Sequence, residues 1–322
     1  MNPATGAVVQ TFEAHDGAFV DSALARASAA AAAWRRMTPA DRAPLLTRVA
    51  TRLDAEQDAL ARLATLEMGK TLRSARDEVA KCAFACRHYA AEGPRMLAAE
   101  PHTAPDFAGT VRYDPLGVVL AVMPWNFPYW QVIRAAAPDG LFTTLLIPAA
   151  GVAGLIADPR VAAVTVTGSE AAGRDIAASA GRVTKKCVLE LGGSDPFIVL
   201  ADADVERAAQ VAVTSRMLNN GQSCINAKRF IVDARVADAF EAAFVARVRA
   251  LTVGDPFDDA TDVGPLATAQ GVADIVSQVD RTVRAGATLL VGGSAPQRPG
   301  WYFEPTVLRD VPRDSPAARE AV

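Results

Sequence analysis

Histidine is scarce in this chain: three residues in 322, His15, His88 and His102, all in the first third. A cysteine–histidine hydrolase is hard to assemble when every imidazole lies so far in sequence from Cys224. Cysteine is scarce too. Cys82, Cys86, Cys187 and Cys224 do not make a disulfide framework in a chain of this length, and a reduced, cytosolic setting fits them best. Cys82, Cys86 and His88 lie close together in a helical pattern, but with no second cluster they read as helix packing, so no metal site is expected. Excess charge is also lacking. A net charge of −3 gives no electrostatic case for nucleic acid or an anionic membrane surface. The longest apolar runs, residues 116–124 and 145–157, are too short to span a bilayer. The start, Met1-Asn2-Pro3-Ala4-Thr5-Gly6, has no basic region leading into an apolar core, so no signal peptide is read. No zinc-protease pattern, P-loop or internal repeat is present. What remains is ordinary globular composition, 51% hydrophobic and 21% charged, in a chain long enough for two cores.

The hydrophobic rhythm divides the chain. The N-terminal third reads as helices over 18–34, from 39 to about 69, and 71–96; Thr38-Pro39-Ala40-Asp41 supplies a cap and a first-turn proline for the second. Residues 101–115, with three prolines and a glycine, read as an extended hairpin or arm. Beyond it, short apolar strands at 118–123, 145–147, 163–166, 188–191 and 197–200 alternate with helices at 129–137 and 171–180. That alternation predicts an α/β fold with a mainly parallel sheet covered on both faces. A helix over 205–218 then leads to a polar turn, with a strand at 230–232, helices at 234–251 and 272–285, a strand at 288–291 and an extended segment at 302–308.

Four stretches carry residues suited to chemistry. Cys224 follows Asn219-Asn220-Gly221-Gln222-Ser223, so its thiol should be reachable rather than packed. Glu190 sits in the apolar run Cys187-Val188-Leu189-Glu190-Leu191-Gly192-Gly193. It reads either as a buried carboxylate paired with Lys185 or Lys186, or as a general base raised by desolvation. Asn126, in Pro124-Trp125-Asn126-Phe127-Pro128, ends a strand where α/β sheets bind ligands; it is either a turn residue or an amide donor to an oxyanion. Thr167-Gly168-Ser169 joins a strand to a helix, which gives either a plain serine cap or an anion site for a pyrophosphate.

Together with Glu67-Met68-Gly69-Lys70, Val263-Gly264-Pro265-Leu266 and Pro305-Thr306-Val307-Leu308, these stretches stand in the order of the aldehyde dehydrogenase superfamily. The chain resembles that family along essentially its whole length, and most resembles the succinate-semialdehyde dehydrogenase branch. The resemblance implies a Rossmann-like cofactor domain over residues 1–191, including the arm-like segment 101–115, and an α/β catalytic domain over 192–322. It also implies Cys224 as nucleophile, Glu190 as general base, and Asn126 with the Cys224 N–H as oxyanion hole. Trp125, Gly168, Ser169 and Leu191 would line the site of NAD or NADP. The implied reaction oxidises a small aldehyde such as succinate semialdehyde to the acid through a cysteine thioester. A family-like homo-oligomer is a further implication.

The sequence departs from the family at two places. Ala135-Ala136-Ala137-Pro138 runs straight into Asp139-Gly140-Leu141-Phe142, so a strand and crossover helix of about 30 residues is missing from the cofactor domain. With it goes the lysine-containing loop that chooses between NAD and NADP. At the other end, Ala321 stands where the family has its second paired glutamate, and the catalytic domain reads as incomplete. Weakened cofactor binding and an opened sheet edge are expected. The alternative is a truncated relative without dehydrogenase activity, either a non-catalytic scaffold or a cofactor-independent thiol esterase. Arg134, Arg216 and Lys228 are the candidate partners for a substrate carboxylate.

Overall fold

The computed structural model describes residues 1–133 and 141–320. In chain order, four helices come first: α1 (Gly17–Trp34), α2 (Pro39–Ala55), α3 (Gln57–Met68) and α4 (Leu72–Met96). A hairpin of β1 (Glu100–Ala104) and β2 (Phe107–Val111) follows, then β3 (Val118–Val122), α5 (Pro128–Ile133), α6 (Ala149–Ala157), β4 (Val161–Thr167), α7 (Glu170–Arg182) and β5 (Lys186–Glu190). The last part holds β6 (Asp195–Val199), α8 (Val205–Met217), β7 (Ala227–Val232), α9 (Ala237–Arg249), α10 (Ala269–Arg284), β8 (Thr288–Val291), β9 (Val307–Arg309) and the single turn α11 (Pro316–Arg319). These elements fall into two compact units. One gathers Met1–Thr11, Asp58–Asp77 and Gly192–Val322, and the other Phe12–Gln57 and Glu78–Leu191.

The second unit is built on a parallel sheet in the order β3-β4-β5. β4 is central, with Val161, Ala163, Val164 and Val166 all buried. β-branched residues suit a strand packed on both faces. Val164, Val166, Ile156 of α6 and Ile176 and Ala180 of α7 make one core, with Leu120 and Val122 of β3 against it. The predicted arm is the antiparallel β1–β2 hairpin. The cap at Thr38 is also present: its hydroxyl accepts from the Asp41 N–H, and the Asp41 carboxylate accepts from the Thr38 N–H, both at 3.2 Å.

Three sequence expectations change. The helix from 39 to 69 is broken at Glu56, whose φ of −107° and ψ of 10° leave the helical region. Residues 145–147 are not a strand. They trade sheet pairing for contact with His15, whose N–H donates to the Leu146 carbonyl (2.8 Å) while its Nδ1 accepts from the Leu146 N–H (3.1 Å). Leu145 and Ile147 still pack against Leu24, Leu155 and Val161. The third change is an unforeseen helix, α6, whose Ala-, Gly- and aliphatic-rich sequence has too little polar contrast to show a helical period. The predicted helix 129–137 is seen as far as Ile133; its remainder, with Arg134 and the Ala135–Asp139 junction, lies outside the described residues, as does Ala321.

The first unit carries the parallel pair β6–β7 under α8 and α9. Phe240, Phe244 and Val248 of α9 close on Ala209, Ala212 and Val213 of α8, with Phe197 and Phe230 from the strands. Burying such side chains contributes about 2 kcal/mol each before ordering costs. This core fixes the end of α8 and the start of β7, and the turn between them holds Cys224. No helix among the described residues is long and apolar enough to cross a membrane.

Candidate active site

In the second unit the three parallel strands end side by side. Asn126 follows the end of β3, Gly168 and Ser169 follow β4, and Glu190 closes β5, with Thr167 paired to Glu190. The Gly168 N–H donates to the Glu190 carbonyl at 3.0 Å, locking these two strand ends together. Six of the sequence-selected residues, Trp125, Asn126, Gly168, Ser169, Glu190 and Leu191, thus stand along one sheet end, the end where open α/β sheets take ligands.

Each is held by identifiable contacts. Ser169 caps α7, its hydroxyl accepting from the Ala172 N–H at 3.2 Å. Leu191 lies across Gly173, where a Cβ would meet its side chain at 2.5 Å, so a larger residue there would displace Leu191. A residue the sequence did not single out orients the Asn126 turn. Glu78 of α4 is buried, and its carboxylate accepts from the Tyr129 and Trp130 N–H groups at 2.8 and 2.9 Å, capping the first turn of α5. Its signal was a lone acid on the inner face of an amphipathic helix, which says nothing of its distant partner.

Glu190 departs from the buried carboxylate expected. It is exposed, and Val188 and Leu189 before it are 46% and 42% exposed; among the described residues β5 is the last strand of its sheet. The ion pair offered as its alternative is not made either. The Lys185 ammonium instead donates to the carbonyls of Ile156 (2.6 Å) and Asp158 (2.5 Å), and no ion pair reaches Glu190 among the described residues.

The set fits a dinucleotide on the α7 side. Thr167 Oγ1, at the end of β4, is buried with no hydrogen-bond partner among the described residues. Beside it starts a 13-residue helix whose first-turn Glu170 is paired with Arg174 at 2.6 Å. Free N–H groups of a helix start suit a phosphate, and a half-exposed Trp125 offers a ring face nearby in sequence. On the other side β3 is an edge: no further strand of this sheet is found among the described residues.

The thiol lies in the first unit. Cys224 is exposed, whereas Cys82 and Cys86 are buried and Cys187 is half-buried. The turn before it contains three consecutive left-handed residues, Asn219 (φ 59°), Asn220 (φ 55°) and Gly221 (φ 75°). Asparagine and glycine are the residue types that tolerate this. Asn220 is buried and uses its whole amide: Nδ2 donates to the carbonyls of Gly69 (2.8 Å) and Pro265 (3.0 Å), and Oδ1 accepts from the Gly264 N–H (3.0 Å). This explains the Glu67–Lys70 and Val263–Leu266 motifs, which hold the thiol turn. A Cβ at Gly264 would run into the Gly69 carbonyl, so only glycine admits the approach. Gln222 Oε1 accepts from Ala267 N–H (3.0 Å), and Asn226 Nδ2 donates to the carbonyls of Arg216 (2.9 Å) and Leu218 (3.0 Å). Replacing Asn220 by alanine strands three buried backbone groups and is expected to cost about 3 kcal/mol. Urea denaturation at constant m-value measures it, and a loss under about 1 kcal/mol would show that water takes the amide's place.

Arg216 and Lys228 are both committed to the thiol loop. Arg216 donates to the Gly221 carbonyl at 2.8 Å, and Lys228 to the carbonyls of Gly193 (2.6 Å) and Cys224 (3.2 Å).

One unit thus carries a parallel sheet with polar and acidic groups at its strand ends, and the other an exposed thiol on a tightly held turn, within an α/β fold. Comparison with known proteins gives the family. The pattern of the aldehyde dehydrogenase family matches residues 1–143 and 131–322, and the chain belongs to that family. It is 48% identical over 359 residues to a succinate-semialdehyde dehydrogenase (NADP(+)) of Mycolicibacterium paratuberculosis, covering all of this chain and 76% of the relative. It is 46% identical over 358 residues to succinate-semialdehyde dehydrogenase (NADP(+)) 1 of Mycobacterium tuberculosis, covering all of this chain and 78% of that one. The crystal structure of succinic semialdehyde dehydrogenase from Streptococcus pyogenes in complex with NADP+ superposes with a TM-score of 0.94 at 33% identity, over 98% of this chain and 77% of that one. The first alignment spans 359 positions against 322 residues here, a difference of 37, and the family match breaks within residues 131–143. The two family matches meet around residues 131–143, where the sequence expectation put its internal deletion.

Proposed function

We propose that this chain oxidises succinate semialdehyde, or a similarly short aldehyde, to the acid with NADP as hydride acceptor. The observation that carries this is its 46–48% identity to enzymes named for that reaction, over its full length. In this reading residues 1–191 form the cofactor domain and 192–322 the thiol domain. Cys224 attacks the aldehyde carbon, forming the C–S bond. The oxyanion is met by the Asn126 amide and the Cys224 N–H, donors held in place before the reaction. Glu78 holds the start of the helix just after Asn126, and Asn220 holds the turn just before Cys224. Trp125, Gly168, Ser169 and Leu191 would hold the dinucleotide, which when bound takes the hydride and leaves a thioester on Cys224. Glu190 then removes a proton from the water that releases the acid. The exposure of Glu190 supports that step, since water reaches the carboxylate without any opening. The substrate carboxylate remains to be matched to a cation, because Arg216 and Lys228 already serve backbone carbonyls.

One observation favours a second reading, a thiol esterase with no dehydrogenase activity: the gap falls in the sheet that would carry the adenosine half of the cofactor. Calorimetric titration with NADP separates them. Binding with a Kd in the micromolar range, about −8 kcal/mol, supports the dehydrogenase. No heat up to millimolar cofactor, with ester hydrolysis retained, would overturn it.

A further inference from the structure

Lys228 lies at the start of β7, four residues after Cys224, and is half-buried. A lysine at such a position usually extends its head into water. This one turns inward, donating to the Gly193 carbonyl at 2.6 Å and the Cys224 carbonyl at 3.2 Å. Gly193 belongs to the Gly192–Gly193 turn that follows Glu190 in sequence. A Cβ there would already lie 3.4 Å from the Cys224 carbonyl, so the two backbones approach closely. Neither Lys228 nor its neighbour Arg216 makes an ion pair with a carboxylate among the described residues. The loop thus holds two cations, neither in an ion pair among the described residues, along with the exposed thiol.

We propose that Lys228 is a positioning residue for Cys224, tying the thiol loop to the Gly192–Gly193 turn and keeping a positive charge beside the sulfur. The inference rests on Cys224 as the nucleophile. Burial first, and then the Arg216 guanidinium, hold the ammonium below its ordinary pKa, while Cys224 and Asp195 pull it back toward its charged form. A thiolate is the attacking species, and a neighbouring ammonium stabilises it. A charged donor also holds two carbonyls more firmly than a neutral one. Asn220, by contrast, fixes the far end of the turn with a neutral amide, so the two residues divide the work.

The test reads alkylation by iodoacetamide, peptide by peptide, at Cys224 and at half-buried Cys187 as an internal control, on the whole chain without cofactor. In the wild type Cys224 should react faster than Cys187, whose thiol burial pushes up. Lys228→Gln keeps an N–H donor but no charge, and is expected to slow Cys224 about tenfold with Cys187 unchanged. Lys228→Arg should restore the rate to within about threefold. A Lys228→Gln rate within about twofold of wild type overturns the inference, as does equal slowing at both thiols, which would report a loosened fold. If wild-type Cys224 reacts no faster than Cys187, the nucleophile assignment itself fails, and this inference with it.

Discussion

Cys224→Ala is expected to lower aldehyde oxidation by at least about a thousandfold while leaving the fold intact. The sulfur is exposed, so its removal opens no cavity, and the stability change should stay within about 0.5 kcal/mol. No other thiol can substitute. Cys82 and Cys86 are buried, with burial pushing the Cys86 thiol up, and Cys187 is half-buried on β5. Asn219 to Gly221 hold the backbone before residue 224 in its left-handed path whichever side chain follows, so the N–H proposed as an oxyanion donor keeps its place in the substitution. Cofactor binding should also survive, because the residues assigned to it stand on the strand ends of the other unit. The decisive comparison is steady-state turnover against calorimetric NADP affinity for the same preparation. Turnover within about tenfold of wild type would rule out covalent catalysis at Cys224. Loss of both turnover and cofactor binding would point to misfolding instead.

The features legible in the sequence were those set by neighbours in the chain. Thr38 and Ser169 declared their helix starts because a cap is a three-residue event, and both make the expected bonds. The arm 101–115 announced itself by its prolines, and the β4–α7 and β5 segments by apolar runs ending in glycine. Burial of Glu190 was misjudged for a physical reason: an apolar run is buried only if something lies across it, and among the described residues β5 is the last strand of its sheet. Residues 145–147 look like a strand by composition, but a strand requires a partner, and among the described residues they bond to His15 instead. Long-range polar contacts were the least legible. Glu78 lies 51 residues before Tyr129, and Asn220 lies 151 residues from Gly69, so no local pattern marks either pair. Lys228 could have been suspected from its place four residues after a reachable cysteine, but only its inward turn onto two carbonyls gives it a role.

The resemblance supplied the names of the site residues, and the geometry supplied the reasons they stay where they are. The thiol turn is held by three asparagine and glutamine amides, an arginine and a lysine, all anchored on backbone carbonyls and N–H groups rather than on other side chains. Backbone anchors do not move with solvent conditions as exposed ion pairs do. On the strand-end side, Glu78, the Gly168–Glu190 bond and Leu191 against Gly173 are among the contacts that hold it. Exposed Glu190 should nevertheless be replaced at less structural cost than buried Asn220.

That difference makes Glu190→Gln a clean test of the second half of the reaction. The side chain is exposed and in no ion pair among the described residues, so the amide should fit with no more than about 0.5 kcal/mol of change in stability. A general base contributes roughly a hundredfold to ten-thousandfold, and glutamine cannot accept the proton from water. If Glu190 acts on water rather than on the thiol, the variant should form the thioester at the wild-type rate and then stall. Rapid mixing would show a burst of one equivalent of reduced nicotinamide, followed by a steady state slower by at least about a hundredfold. If Glu190 instead draws the proton from Cys224, the burst itself slows and no acyl-enzyme accumulates. Undiminished steady-state turnover would remove Glu190 from the mechanism, leaving water activation to some other group at the sheet end. The burst also bears on the missing strand and helix, since one equivalent of hydride transfer requires a cofactor bound in register with the thiol.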